Sequence, residues 1–179
     1  MPTTRPPLLP PVGPSSRPPD PGITVSLAMP AYPRAEWSTT LAPVGDVARA
    51  ARLHARTRLP MLGWHGDVET AAQVASRLVD NAMTHGHPDP SELPLGLLLV
   101  VTANDELIIA VQDTNPAFPD FAELAHGPLP PHTMSQRPSS LTWIRRDLGG
   151  RIACCTSPES STKTVQVTLP RLARQEATG

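Results

Sequence analysis

A chain of 179 residues is long enough for one domain with a sizeable core plus a tail. Its formal charge of −1 provides no global field toward nucleic acid, and no stretch approaches the roughly 20 apolar residues of a membrane span. Proline is the strong deviation, with 24 residues against roughly 5% in average usage. Aromatic residues are scarce, so Leu, Val, Ile and Ala must build the core.

Residues 1–34 hold 11 of the prolines, including Pro6-Pro7, Pro10-Pro11 and Pro18-Pro19. Proline lacks a backbone donor and favours extended chain, so 1–34 reads as a largely disordered Pro-rich arm. A docking segment for a proline-recognising partner is the functional alternative. Ile23, Val25, Leu27 and Met29 alternate there, as in a short added strand. No apolar run of signal-peptide length follows Arg5, and the expected location is the cytoplasm.

Trp37, Thr39 and Leu41 alternate as a first core strand, closed by Pro43. Asp46 is placed to cap a helix running to about Arg58, with Val47, Ala50, Ala51, His54 and Ala55 on its apolar side. Arg49, Arg52 and Arg56 lie near one another on that helix, as a solvated basic face or a partner surface. Pro60 to Gly66 reads as a loop. Asp67 then opens a helix with Val68, Ala71, Ala72, Ala75, Leu78, Val79 and Ala82 at core-facing spacing. Gly86 ends it as a C-terminal glycine cap.

After a turn-rich connector, Gly96 to Thr102 is almost wholly apolar, as in a strand buried on both faces. Ala103-Asn104-Asp105 turns it into a return strand, Glu106 to Gln112. Residues 114–138 form a proline-rich loop with about one helical turn at Phe121 to Ala125. Ser139 or Ser140 caps a helix burying Leu141, Ile144 and Leu148, which Gly149-Gly150 stops. Strands at Arg151–Cys155 and Thr162–Leu169 complete the domain, and the tail from 173 onward is polar. Adjacent Cys154 and Cys155 suit opposite faces of a strand, not a disulfide. This order predicts an α+β fold, a two-layer sandwich with a mixed, mostly antiparallel sheet and helices on one face.

Arg77, Asn81 and His85 sit four apart, so they share one helix face beside the apolar stripe. Val111-Gln112-Asp113-Thr114-Asn115-Pro116 places an acidic acceptor at a strand end. Arg137-Pro138-Ser139-Ser140-Leu141 opens the last helix. In order and spacing these three segments resemble the nucleotide site of the GHKL ATPases, in the small form of actinobacterial anti-sigma-factor serine kinases. The resemblance covers about residues 35–172 and implies the Bergerat, histidine-kinase-like ATPase fold.

What the resemblance implies for the site is specific. Asn81 would hold Mg²⁺ against a triphosphate, and an amide oxygen suits that hard cation. Asp113 would accept a hydrogen bond from the adenine amino group. Asn115 stands where the family has Gly or Ser, a position it can fill by adopting left-handed backbone angles. Ser140 and Pro138 replace the glycines that let backbone N–H groups approach phosphate.

The family's glutamate base is replaced by Arg77, which stays protonated and cannot accept a proton. Without base and glycines, phosphoryl transfer is not expected. The expectation is a regulatory protein with a degenerate site, binding ATP or ADP with Mg²⁺ weakly or not at all. It would act on a protein partner, either a sigma factor or an anti-sigma antagonist. Homodimerisation is compatible with the family. An active serine/threonine kinase is one alternative, and a nucleotide-free scaffold for a transcription factor is another; neither contacts DNA directly. The space between Asn81 and Asp113 is predicted to be narrowed by the 114–138 loop or by Trp143. His85 and His87 lack a third ligand for zinc.

Overall fold

The computed structural model describes residues 33–86, 94–129, 139–157 and 161–171. Nearly all of the Pro-rich arm, with its Ile23–Met29 alternation, lies outside the described residues, as do the tail, His87 and Pro138. The elements run β1 (Ala35–Leu41), α1 (Val47–Met61), α2 (Val68–His85), β2 (Leu95–Val101), β3 (Leu107–Asp113), α3 (Phe121–His126), α4 (Ser140–Asp147), β4 (Arg151–Ser157) and β5 (Thr162–Leu169). The strands form one sheet in the order β1-β2-β3-β5-β4. Every described pairing is antiparallel, so the mixed component expected of the sheet is absent there.

The alternation of strand side chains decides what faces the helices. Leu97, Leu99, Leu107, Ile109, Val111, Val167 and Leu169 all join the core under α1 and α2. The same period places Asp113 and Lys163 on that inward face, at the ends of β3 and β5. Cys154 faces the core and Cys155 is half-buried, as adjacent residues of a strand should be. Leu98 is also only half-buried, so β2 is less enclosed than its composition suggested.

Helix α2 is the central helix, packed along α1 and over β3. It buries Ala71, Ala72, Val74, Ala75, Leu78, Val79 and Ala82. Its small alanines permit close approach to α1. Asp67 caps it, accepting from the Glu69 and Thr70 backbone N–H groups at 3.0 and 3.1 Å. The Thr70 hydroxyl, foremost, holds the Asp67 carboxyl below the usual carboxylate range. A cap of this kind contributes about 1 kcal/mol.

Two helix ends differ from expectation. Helix α1 continues through Pro60 to Met61 instead of ending at Arg58. Proline's missing donor costs least in a last turn, and fully buried Leu59 anchors that turn. At the end of α2, Gly86 has φ −82°, so it is no left-handed cap. Its value is room: a Cβ there would run into the Ala82 carbonyl oxygen and would also lie 3.2 Å from the Asp113 Cβ, tighter than ordinary contact. Glycine lets the end of α2 approach the end of β3.

The basic face of α1 meets Glu69 of α2, with Arg56 at 2.6 Å and Arg52 at 3.4 Å. These half-exposed pairs contribute little to stability. In the β2–β3 turn, Asp105 gathers Arg34 at 2.7 Å, with His65 and Arg171 both at 3.4 Å. At the end of α4, Gly149 takes φ +61°, and a Cβ on Gly150 would meet Ile144 Cγ2 at 2.6 Å. The pair therefore supplies a left-handed turn and a close approach.

Candidate functional site

A cleft of about 420 Å³ opens where the end of α2 meets the ends of β3 and β5. That volume lies within the range of small-molecule sites, roughly 300–1,000 Å³. Leu78, Asn81, Ala82 and His85 form the α2 wall, Val111 and Val165 the floor, and Phe118 and Leu124 the far side. Asn81, Asp113, Asn115 and Ser140, all expected from the sequence, line this one cleft. Arg77 is not among its lining residues. Among the described residues the expected narrowing is not observed: the described part of the 114–138 loop forms a wall of the cleft, and Trp143 packs against Arg77 instead.

Asp113 is 2% exposed and sits opposite Lys163 in the β3–β5 register. Its Oδ1 accepts the Asn115 backbone N–H at 2.9 Å. Its Oδ2 is buried without a hydrogen-bond partner, in a long ion pair with Lys163 Nζ at 3.5 Å. Burial pushes the Asp113 carboxyl above its ordinary range, against the opposing pull of the Asn115 N–H and the Lys163 ammonium. A buried acceptor left open costs free energy unless a donor reaches it. The N–H of a bound heterocycle is such a donor.

Lys163 escaped the sequence reading. It is 4% exposed, donates to the Ala117 carbonyl at 3.0 Å and lies 5.3 Å from the Phe118 ring centre. Its signal was available: it stands two residues before Val165, in phase with the inward face of β5.

Asn115 does not adopt the expected left-handed angle. Among the described non-glycine residues, only Asp105 and Ser161 have positive φ. Its side chain instead bridges the turn, donating to the His85 carbonyl at 3.0 Å and accepting from the Ala117 N–H at 3.0 Å. Its amide is thereby committed to holding β3 against α2. Asn81 differs: its side chain makes no hydrogen bond to another described residue, and it lines the cleft.

At the mouth, Ser139 caps α4, accepting from the Thr142 N–H at 3.2 Å. Its hydroxyl also bonds the Thr142 hydroxyl at 2.8 Å. The serine thus uses a donor that an anion would otherwise meet. Arg145, also missed, donates to the Leu124 and Gly127 carbonyls at 2.8 and 3.0 Å and ties α3 to α4. Arg77 stacks on Trp143, its guanidinium carbon 4.3 Å from the ring centre. The stack joins the middle of α2 to α4. It gives the arginine a packing role where the resembled family has a base.

No protein-family model and no curated relative matches the sequence. Solved structures do. One is the RsbU and RsbW domains of Rv1364c from Mycobacterium tuberculosis, with a TM-score of 0.51 and 14% identity over 76% of this chain. The likeness takes in only 32% of that longer chain. A histidine kinase domain from Erythrobacter litoralis EL346 matches with a TM-score of 0.41 and 15% identity, over 70% of this chain and 61% of its own. At the first of these identities the likeness bears on fold alone. This domain's five-stranded antiparallel sheet with helices over one face is an α+β fold shared with part of that first structure.

Proposed function

We propose that this protein is a regulatory GHKL-type domain that binds an adenine nucleotide and acts through a protein partner without transferring phosphate. One observation carries the nucleotide reading: Asp113 lines a cleft of about 420 Å³ with its Oδ2 buried, without a hydrogen-bond partner and held only by the long ion pair to Lys163. An adenine amino group supplies the donor that this oxygen lacks. Asn81 offers one amide oxygen for Mg²⁺, which usually keeps few protein ligands and takes the rest from phosphate and water. Ser140 lies at the same mouth.

Arg77 supports the absence of catalysis. It is permanently protonated and engaged with Trp143, so it supplies no base. The likeness to an RsbW domain and the resemblance to anti-sigma-factor kinases support a sigma factor or anti-sigma antagonist as the partner.

Calorimetric titration with ATP and Mg²⁺ tests the binding. Micromolar affinity is expected in the wild-type protein, with loss of binding in Asp113→Ala. Equal affinities in the two proteins would remove Asp113 from the site. Incubation of candidate antagonists with labelled ATP tests the rest, and phosphate transfer would overturn the non-catalytic reading.

A further inference from the structure

Given an adenine nucleotide in the cleft, as proposed above, we infer that Lys163 is a second base-recognition group, donating directly to the ring nitrogen beside the adenine amino group. Lys163 and Asp113 face each other across the β3–β5 register and are 5% and 2% exposed at their side chains. Both line the cleft. An ammonium has three protons. One goes to the Ala117 carbonyl at 3.0 Å, and the nitrogen lies 3.5 Å from Asp113 Oδ2. The Phe118 ring covers another side at 5.3 Å. The contact with Asp113 is too long to be a strong hydrogen bond.

The floor of the cleft thus holds an acceptor without a hydrogen-bond partner beside an under-used donor, among Val111, Val165 and Phe118. A flat ring whose amino group adjoins a ring-nitrogen acceptor answers both in one plane. Adenine has that edge. Guanine offers two adjacent donors and one acceptor, and needs both oxygens of a carboxylate. Here Oδ1 is already taken by the Asn115 N–H at 2.9 Å. Guanine would leave its 2-amino group unpaired in an apolar cleft, which is unfavourable. Asp113 and Lys163 together therefore narrow the site toward adenine.

The test compares ATP, 1-deaza-ATP, 7-deaza-ATP and GTP on the wild-type full chain by calorimetry. Each deaza analogue replaces one ring nitrogen flanking the amino group with carbon. We expect one of them to bind about tenfold more weakly than ATP, as loss of a charge-assisted hydrogen bond predicts. GTP should be weaker still. In Lys163→Met the analogue penalty should vanish.

ATP binding with both analogues within about twofold of it would overturn the assignment to Lys163 and leave the nucleotide reading standing. GTP binding as tightly as ATP, or a penalty that persists in Lys163→Met, would also overturn it. No ATP binding at all would refute both readings together. The analogue series needs only wild-type protein, so it decides the matter even where the variant fails to fold.

Discussion

The stack of Arg77 on Trp143 gives the sharpest test of why an arginine stands where the GHKL resemblance expects a base. The guanidinium carbon lies 4.3 Å from the ring centre, and both side chains are half-buried. Cation–π pairs contribute about 0.5–1 kcal/mol when exposed and about 2 kcal/mol when desolvated. Intermediate burial places this pair near 1 kcal/mol. Arg77→Ala also loses the packing of the arginine stem, partly offset by alanine's helix propensity. Its total cost should be about 1–1.5 kcal/mol, a fall in Tm of roughly 4 °C for a domain this size.

The decisive quantity is the coupling in a double-mutant cycle with Trp143→Ala, read by urea denaturation. It should be about 1 kcal/mol, well above the roughly 0.3–0.5 kcal/mol error of additivity. Arg77→Glu, which restores the family's residue type, should be worse than Arg77→Ala, because a carboxylate meets the negative face of the indole. ATP affinity should change by less than about twofold in Arg77→Ala, since Arg77 does not line the cleft. A coupling energy indistinguishable from zero would refute the structural role. A tenfold drop in ATP affinity would instead mean that the arginine meets phosphate.

Acidification should weaken ATP binding through Asp113. Its carboxyl titrates above the ordinary aspartate range, and a bound amino group favours the ionised form. Affinity should be flat at high pH and fall, with proton release on binding, as pH drops through that raised value; a flat calorimetric profile into the ordinary carboxylate range would count against the contact. For the unliganded fold the sign is opposite. The contribution of Asp113 is fully present below the ordinary aspartate value and is lost as pH rises through the raised one, so Asp113→Asn should unfold at the same or higher urea concentration at pH 8. Gly150→Ala should cost about 1–3 kcal/mol by the same assay, because its Cβ meets Ile144 and Leu169 in a filled core. Native protein should react with one equivalent of a thiol reagent. Burial pushes Cys154 up to about 11 and closes it off, whereas Cys155 is half-buried. Two fast-reacting thiols would contradict that packing.

The parts of the fold that rest on local period were legible in the sequence. The inward stripe of α2, the β2–β3 hairpin and β5 at Thr162–Leu169 followed from apolar spacing, and Asp113 from its place at a strand end. What escaped depends on contacts distant in sequence. Lys163 was in phase with the core face, but a charged residue at a strand end ordinarily points to water. Only its register with Asp113 and the Ala117 carbonyl accounts for its burial. Trp143 was expected near the cleft because nothing local indicated that Arg77, on another helix, would take its ring face. Asn115 was assigned a backbone role by analogy with glycine. Its side-chain amide in fact does the work, reaching the His85 carbonyl 30 residues away in sequence.

On the proposed reading the two ends of the cleft make different physical demands, and the described residues are arranged for one of them. Base recognition needs a few buried polar groups held still, and Asp113, Lys163 and Asn115 are fixed by β3, β5 and the turn between them and α3. Phosphoryl transfer needs a base and donors poised for charge that develops during reaction. Arg77 and the self-satisfied Ser139–Thr142 cap supply neither. On the proposed reading, ligand concentration alone would set the state of such a site, since nothing consumes the nucleotide. At a hundred times its Kd a ligand adds about 2.7 kcal/mol to the form that binds it. Because the cleft is walled by both α2 and α4, that energy would be spent holding α4 to the sheet. A partner that reads the surface of α4 would then sense nucleotide without any chemistry occurring.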